Sequence, residues 1–249
     1  MNIGIIIQAR LGSTRLPGKI LKSFYGDKTL LETVICNMQK AGNEKIIVAT
    51  SVHPSNDKLV SFLNERDITV FRGSEDDVLN RFIGAAETNQ IDGIVRICSD
   101  NPFLDWHGVA ELIQKAKNSD ADYIGFRINN TPSIKTHFGF WGEFVTLNAL
   151  KRVAATTDDK SAHEHVTIYI YTHPDEYRCE WIDCCENLQG RNDIRLTVDS
   201  LEDFENAQKV FSSLYEANPS FGLGDVVNYI DSHINVRESM KKMIYKNQK

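Results

Sequence analysis

The chain has 249 residues, 41% of them hydrophobic, enough to bury the core of one large domain or two small ones. Its 28 Lys and Arg stand against 34 Asp and Glu, and the net charge of -6 excludes a general nucleic-acid binder, whose phosphate partner calls for an extended basic surface. The apolar run in "MNIGIII" is too short for a signal peptide and lacks its basic flank, and no stretch approaches bilayer length, so the expectation is a cytoplasmic protein with no membrane partner.

Continuous apolar runs predict strands buried on both faces at "IGIIIQ", "KIIVAT", "ITVF", "GIVRI" and "ADYIGF". Between them, Leu30, Leu31, Val34, Ile35 and Met38 share one helical face, as do Val78, Phe82 and Ala85, and then Val109, Leu112, Ile113 and Ala116. This alternation, regular through about residue 126, predicts an α/β fold with a parallel sheet wrapped by helices. The order breaks at the polar loop "RINNTPSIKTHFGFWGEF", followed by a helix-like "LNALKRVA" and two strand-like runs, "HVTIYIYT" and "YRCEWIDC". These two runs predict a small antiparallel flap over 127–192, where a substrate pocket closes or a second subunit joins. A strand at "IRLTV", a helix from Ser200 with Asp203 completing a capping box, and helices at "LGDVVNYIDSH" and "NVRESMKKMIYK" finish the chain. Cys36, Cys98, Cys179, Cys184 and Cys185 show no CxxC spacing and read as reduced structural thiols.

Arg10, Arg15 and Lys19 cluster around Gly12, Pro17 and Gly18 directly after the first strand, with no acidic residue before Asp27. A basic, glycine-containing turn at a strand's carboxyl end is how α/β proteins hold phosphates. It is not a P-loop, because five residues separate Gly12 from Gly18 and Ile20 occupies the position of the magnesium-binding hydroxyl; GxGxxG is absent here too. A phosphate cradle uses the three cations for positive charge, with Gly12 and Ser13 allowing close backbone approach. A solvated basic loop is the plainer alternative.

The pattern "ARxGSxRxPxK", carried by Ala9, Arg10, Gly12, Ser13, Arg15, Pro17 and Lys19, resembles the cytidylyltransferases that activate sialic acid and 3-deoxy-manno-octulosonate, and within them the branch named for spore coat polysaccharide biosynthesis protein F. The resemblance continues in family order through "GSEDDVLNRF", "RICSDNPFLD", "HEHVTIYI" and "RLTVDSLEDF". It implies a Rossmann-like nucleotide-diphospho-sugar transferase fold, one domain over 1–249, with 127–192 as the acceptor-binding and dimerisation flap of a homodimer. The implied reaction joins CTP to a sugar or sugar acid, giving a CMP-sugar and pyrophosphate for surface polysaccharide or glycoconjugate synthesis. A nucleotidyltransferase using another nucleotide or a non-sugar acceptor, and a catalytically weak nucleotide-binding relative, are the alternatives.

By resemblance, Asp100 and Asp199 bind Mg2+, and both follow predicted strands. Asp100 also suits the turn before Pro102, and Asp199 the start of the next helix. Arg10, Lys19 and Asp100 are the catalytic candidates. Ala9, Arg10, Leu11, Gly12, Ser13, Arg15, Lys19, Arg81 and Cys98 are the nucleotide-binding ones, with an i,i+4 pair to Asp77 as the alternative for Arg81. Cys98 stands where the sugar-acid members carry a base-reading glutamine, which leaves base recognition to backbone groups near Ala9 and Leu11. Glu164 and His165 are implied acceptor contacts, and His163 replaces an arginine common in the branch. His163 and His165 lack a third ligand in local sequence for a zinc site.

Overall fold

A computed structural model describes residues 1–184 and 186–247; Cys185 lies outside the described residues. From the amino terminus the elements are β1 (Ile3–Gln8), the hairpin β2 (Ser23–Tyr25) and β3 (Lys28–Thr29), α1 (Leu30–Ala41), β4 (Lys45–Ser51), α2 (Asp57–Asn64), β5 (Thr69–Gly73) and α3 (Val78–Thr88). Then come β6 (Gly93–Cys98), α4 (Trp106–Lys117), β7 (Tyr123–Ile128), β8 (Thr131–Pro132), β9 (Glu143–Thr146), α5 (Leu147–Thr156), α6 (Lys160–His165) and α7 (Ile168–Thr172). The chain closes with β10 (Cys179–Asp183), α8 (Leu201–Ala217), α9 (Leu223–Ser232) and α10 (Ile234–Lys246).

The main sheet runs β10-β7-β9-β6-β1-β4-β5, with β8 on β7. The neighbours β6-β1, β1-β4, β4-β5 and β10-β7 are parallel, whereas β9 is inserted antiparallel between β6 and β7. Both faces are covered, as the apolar runs require. Ile3, Ile5 and Ile7 pack with α1, α4 and α8, while Ile6, Ile47 and Ile94 meet α3 and α5 on the other face. Helix starts follow their local chemistry: Thr29 and Glu32 make reciprocal capping bonds at α1, and Ser200 and Asp203 do so at α8.

The carboxyl-terminal half corrects two expectations. "HVTIYIYT" is helical, because Asp159 caps α6, Val166 breaks the chain at φ 61, and Thr167 and Ile170 are buried on α7. Its period-2 pattern of β-formers is overridden by these buried contacts. The antiparallel part of the sheet is therefore β9, on β6 and β7, and β8, on β7, and "YRCEWIDC" supplies β10, parallel to β7. "IRLTV" forms no strand: Leu196 N–H and Thr197 N–H both donate to His137 O, at 2.9 and 3.4 Å, and Val198 N–H donates to Asp100 O at 2.9 Å, bonds to loops rather than a ladder.

Candidate active site

Strand order reverses at β1. The chain adds β4 and β5 on one side and then crosses to place β6 on the other, so the carboxyl ends of β1 and β6 diverge into a crevice. Gln8 and Cys98 are opposite each other at this edge, and Ser99 N–H donates to Gln8 O at 3.2 Å. The basic loop leaves β1 here and closes on itself. Leu11 O accepts from Ser13 N–H at 2.9 Å and from Gly18 N–H at 3.1 Å, with Gly18 at φ 68, a backbone region that glycine enters without strain. Leu16 and Ile20 are buried beneath the loop and anchor it.

Lys19 is buried by this anchoring, and its Nζ donates to Val198 O at 2.5 Å and to Asp100 Oδ2 at 2.9 Å, with Asp199 Oδ1 at 3.6 Å. Asp199 also meets Arg15 at 3.0 Å and Arg195 at 3.0 Å. Arg195 is fixed in turn by two bonds to Asp203, at 2.7 and 3.0 Å. The two aspartates, 99 residues apart in sequence, are thus held beside one ammonium, helped by the bond from Val198 N–H to Asp100 O.

Two cavities open from this point. The smaller, about 270 Å³, takes in Gln8, Arg10, Ser13, Arg15 and Lys19. The larger, about 580 Å³, is walled by Phe140, Trp141 and Tyr171 with Lys135, His137 and His165 at its polar edge. Arg15, Cys98, Asp100 and Asp199 line both. Arg96 also lines the larger cavity; its Nη1 donates to Glu143 Oε2 at 2.6 Å, while Glu143 Oε1 accepts from Tyr123 Oη at 2.6 Å. Burial pushes the Cys98 thiol up to about 11, so it faces both cavities as a neutral, weak hydrogen-bonding group.

Other sequence-derived candidates fall elsewhere. Arg81 lines neither cavity; it is buried and donates to Ser74 O at 2.6 Å, bracing the loop whose Glu75 pairs with Arg10 at 3.6 Å. Glu164 is exposed and lines neither, whereas His165 reaches the larger cavity. His163 points to α3, its Nδ1 at 3.0 Å from Asp77 Oδ2. Ala9 N–H donates to Ala49 O, Leu11 N–H to Asn56 Oδ1 and Ser13 N–H to Leu11 O, so these three backbone donors are already engaged. At Gly12 a Cβ would meet nothing within 4 Å. Arg96, Lys135 and the aromatic wall carried no signal in the sequence, because only the packing of β6, β7 and β9 brings them to one cavity.

The donor set suits magnesium. Asp100 and Asp199 converge as two hard carboxylates, the number such an ion takes from protein when phosphates and water complete its shell. Among the described residues no group of three or more His, Cys, Asp or Glu side chains could hold a metal ion.

Comparison with known proteins follows the same lines. Spore coat polysaccharide biosynthesis protein SpsF of Bacillus subtilis strain 168 is 32% identical over 238 residues, covering 92% of this chain and 94% of that protein. A cytidylyltransferase structure from Leptospira borgpetersenii serovar Hardjo-bovis strain JB197 superposes with a TM-score of 0.81 at 27% identity, over 95% of this chain and 96% of that one. CMP:2-keto-3-deoxy-manno-octonic acid synthetase in complex with CTP shares the fold, with a TM-score of 0.62 at 13% identity over 86% of this chain and 99% of that one. No helix among the described residues is long and apolar enough to cross a membrane. The cytidylyltransferase family model matches residues 4–247, from β1 to the end of α10, and with that extent the chain belongs to the cytidylyltransferase family of nucleotidyltransferases.

Proposed function

We propose that this chain transfers a cytidylyl group from CTP to a hydroxyl of a sugar or sugar acid. The acceptor oxygen attacks the α phosphorus, the bond to the bridging oxygen breaks, pyrophosphate leaves and the hydroxyl proton is released. The observation that carries this reading is the meeting of the two cavities at Asp100 and Asp199. A triphosphate in the basic cavity and a polyhydroxylated acceptor in the aromatic-walled one bring their reacting atoms to the shared carboxylates.

Arg10, Arg15 and Lys19 supply positive charge for the triphosphate, and their positions in a tethered loop preorganise it. Asp100 and Asp199 would hold Mg2+, which when bound offsets phosphate charge. His165 and Lys135, from the 127–192 segment, line the larger cavity, where they would face the acceptor. The SpsF similarity favours a product destined for a surface polysaccharide.

The test is pyrophosphate release from CTP, UTP, ATP and GTP with Mg2+ and a panel of sugars, sugar acids and sugar phosphates, with Asp100→Ala as control. CTP-specific, acceptor-dependent release that the variant lacks supports the reading; release with another nucleotide alone overturns it. Sedimentation at micromolar concentration tests the expected homodimer.

A further inference from the structure

Selecting a base requires a side chain or backbone that offers a fixed donor or acceptor to its edge. The thiol and the two backbone N–H groups closest to that edge offer little to it. The Cys98 thiol is a weak partner, and the N–H groups of Ala9 and Leu11 are engaged by Ala49 and Asn56. Directly across the strand pair from Cys98 stands Gln8, the one carboxamide among the described residues lining the smaller cavity. Its Oε1 is buried and makes no hydrogen bond with any described residue. The polar groups nearby satisfy one another: Asn56 Nδ2 donates to Ser51 Oγ at 2.8 Å, and Ser51 Oγ donates to Glu75. Thr50 Oγ1 and Asn101 Oδ1 are likewise buried without a partner among the described residues, but Gln8 is the amide at the switch point of the sheet that lines the smaller cavity, where a ligand or an ordered water meets its bonding capacity.

We propose that Gln8 reads the nucleotide base, its side-chain amide hydrogen-bonding the polar edge of a pyrimidine held between the ends of β1 and β6. Cytosine offers an amine beside a ring-nitrogen acceptor, and uracil a carbonyl beside an N–H. An amide held one way round therefore distinguishes them. This assignment rests on the cytidylyl-transfer reading for the identity of the base.

The test titrates CTP, UTP and inorganic pyrophosphate, each with Mg2+, into the full-length protein and its Gln8→Ala and Gln8→Glu variants by calorimetry, alongside thermal melting. Gln8→Ala is expected to weaken CTP binding about tenfold and to bring the CTP-to-UTP affinity ratio toward one. Pyrophosphate affinity should stay within about twofold, and the melting temperature should not fall, because an unbonded buried oxygen is removed. Gln8→Glu, which keeps the shape but loses the donor, should lose the same preference. An unchanged ratio in both variants, or equal losses for CTP and pyrophosphate in Gln8→Ala, overturns the proposal; the charge that Gln8→Glu adds lowers both affinities, so that variant is read by the ratio alone. If the wild-type protein instead selects another nucleotide, the cytidylyl reading falls, and Gln8 is judged by the same comparison on that nucleotide.

Discussion

The Lys19 ammonium lies between the two carboxylates of the site, 2.9 Å from Asp100 Oδ2 and 3.6 Å from Asp199 Oδ1. It keeps two like charges together across elements that share no local sequence. Lys19→Met should leave them opposed, lowering the melting temperature in metal-free buffer and enlarging the rise that Mg2+ produces. Activity should fall about 10²- to 10³-fold, as for loss of one preorganised electrostatic group. Asp100→Ala should abolish activity and the Mg2+-dependent rise; a rise equal to that of wild type would sink the two-carboxylate assignment.

Asp203 acts on the site through Arg195. Both side chains are buried, and Arg195 links Asp203 to Asp199. Burial works against the Asp203 charge, but the Arg195 and Ser200 bonds outweigh it and hold the carboxyl below its usual value of 3.8. The folded value being depressed, its stabilisation is present above that pH and lost as pH falls through the lowered value. Asp203→Ala should cost about 1.5–3 kcal/mol in urea denaturation, because the buried guanidinium loses two charge-assisted bonds while keeping Asp199, against about 1 kcal/mol for Ser200→Ala, which removes only a cap.

His163 and Asp77 give a pH signature remote from the cavities. Burial disfavours the imidazolium, yet the Thr157 carbonyl and Asp77 raise its pKa above 6.5; for Asp77, burial is likewise outweighed and the pKa falls below 3.8. The His163 contribution is complete below 6.5 and disappears as pH rises through its raised value, and the Asp77 contribution is complete above 3.8. The melting-temperature gap between wild type and Asp77→Asn should therefore be widest between those values and narrow toward pH 9. His163→Arg should keep the gap open at pH 9. An imidazole titrating at or below 6.5 by NMR would contradict the pairing.

Lys135 Nζ sits 5.3 Å from the centre of the Tyr171 ring at the edge of the larger cavity. If that cavity takes the acceptor, Lys135→Ala should raise the acceptor KM about tenfold with the CTP KM within about twofold. Steady-state kinetics with each substrate varied in turn decides this; the reverse pattern would exchange the roles of the two cavities.

The parallel core was legible because strands buried on both faces and helices with one apolar stripe leave marks within a few residues. The loop from Ala9 to Lys19 was legible for a similar reason, since its cations and glycines are contiguous. The segment 165–172 misled because its β-formers alternate, while the buried contacts of Thr167 with Glu143 and of Ile170 with the core decide its conformation. The β9 strand, "EFVT", was hidden at the end of the polar loop because its pairing partners, β6 and β7, lie elsewhere in sequence.

By itself, then, the sequence determined the fold class and marked the basic loop after the first strand, both of which depend on residue type over short spans, while the two candidate metal carboxylates came from the family resemblance. Only the tertiary structure decided that Lys19 would bridge Asp100 and Asp199, that Arg81 would brace a loop, and that Arg96 and Gln8 would face the cavities. These are relations between side chains tens to hundreds of residues apart, set by which strands adjoin and what the core excludes, and no local periodicity encodes them.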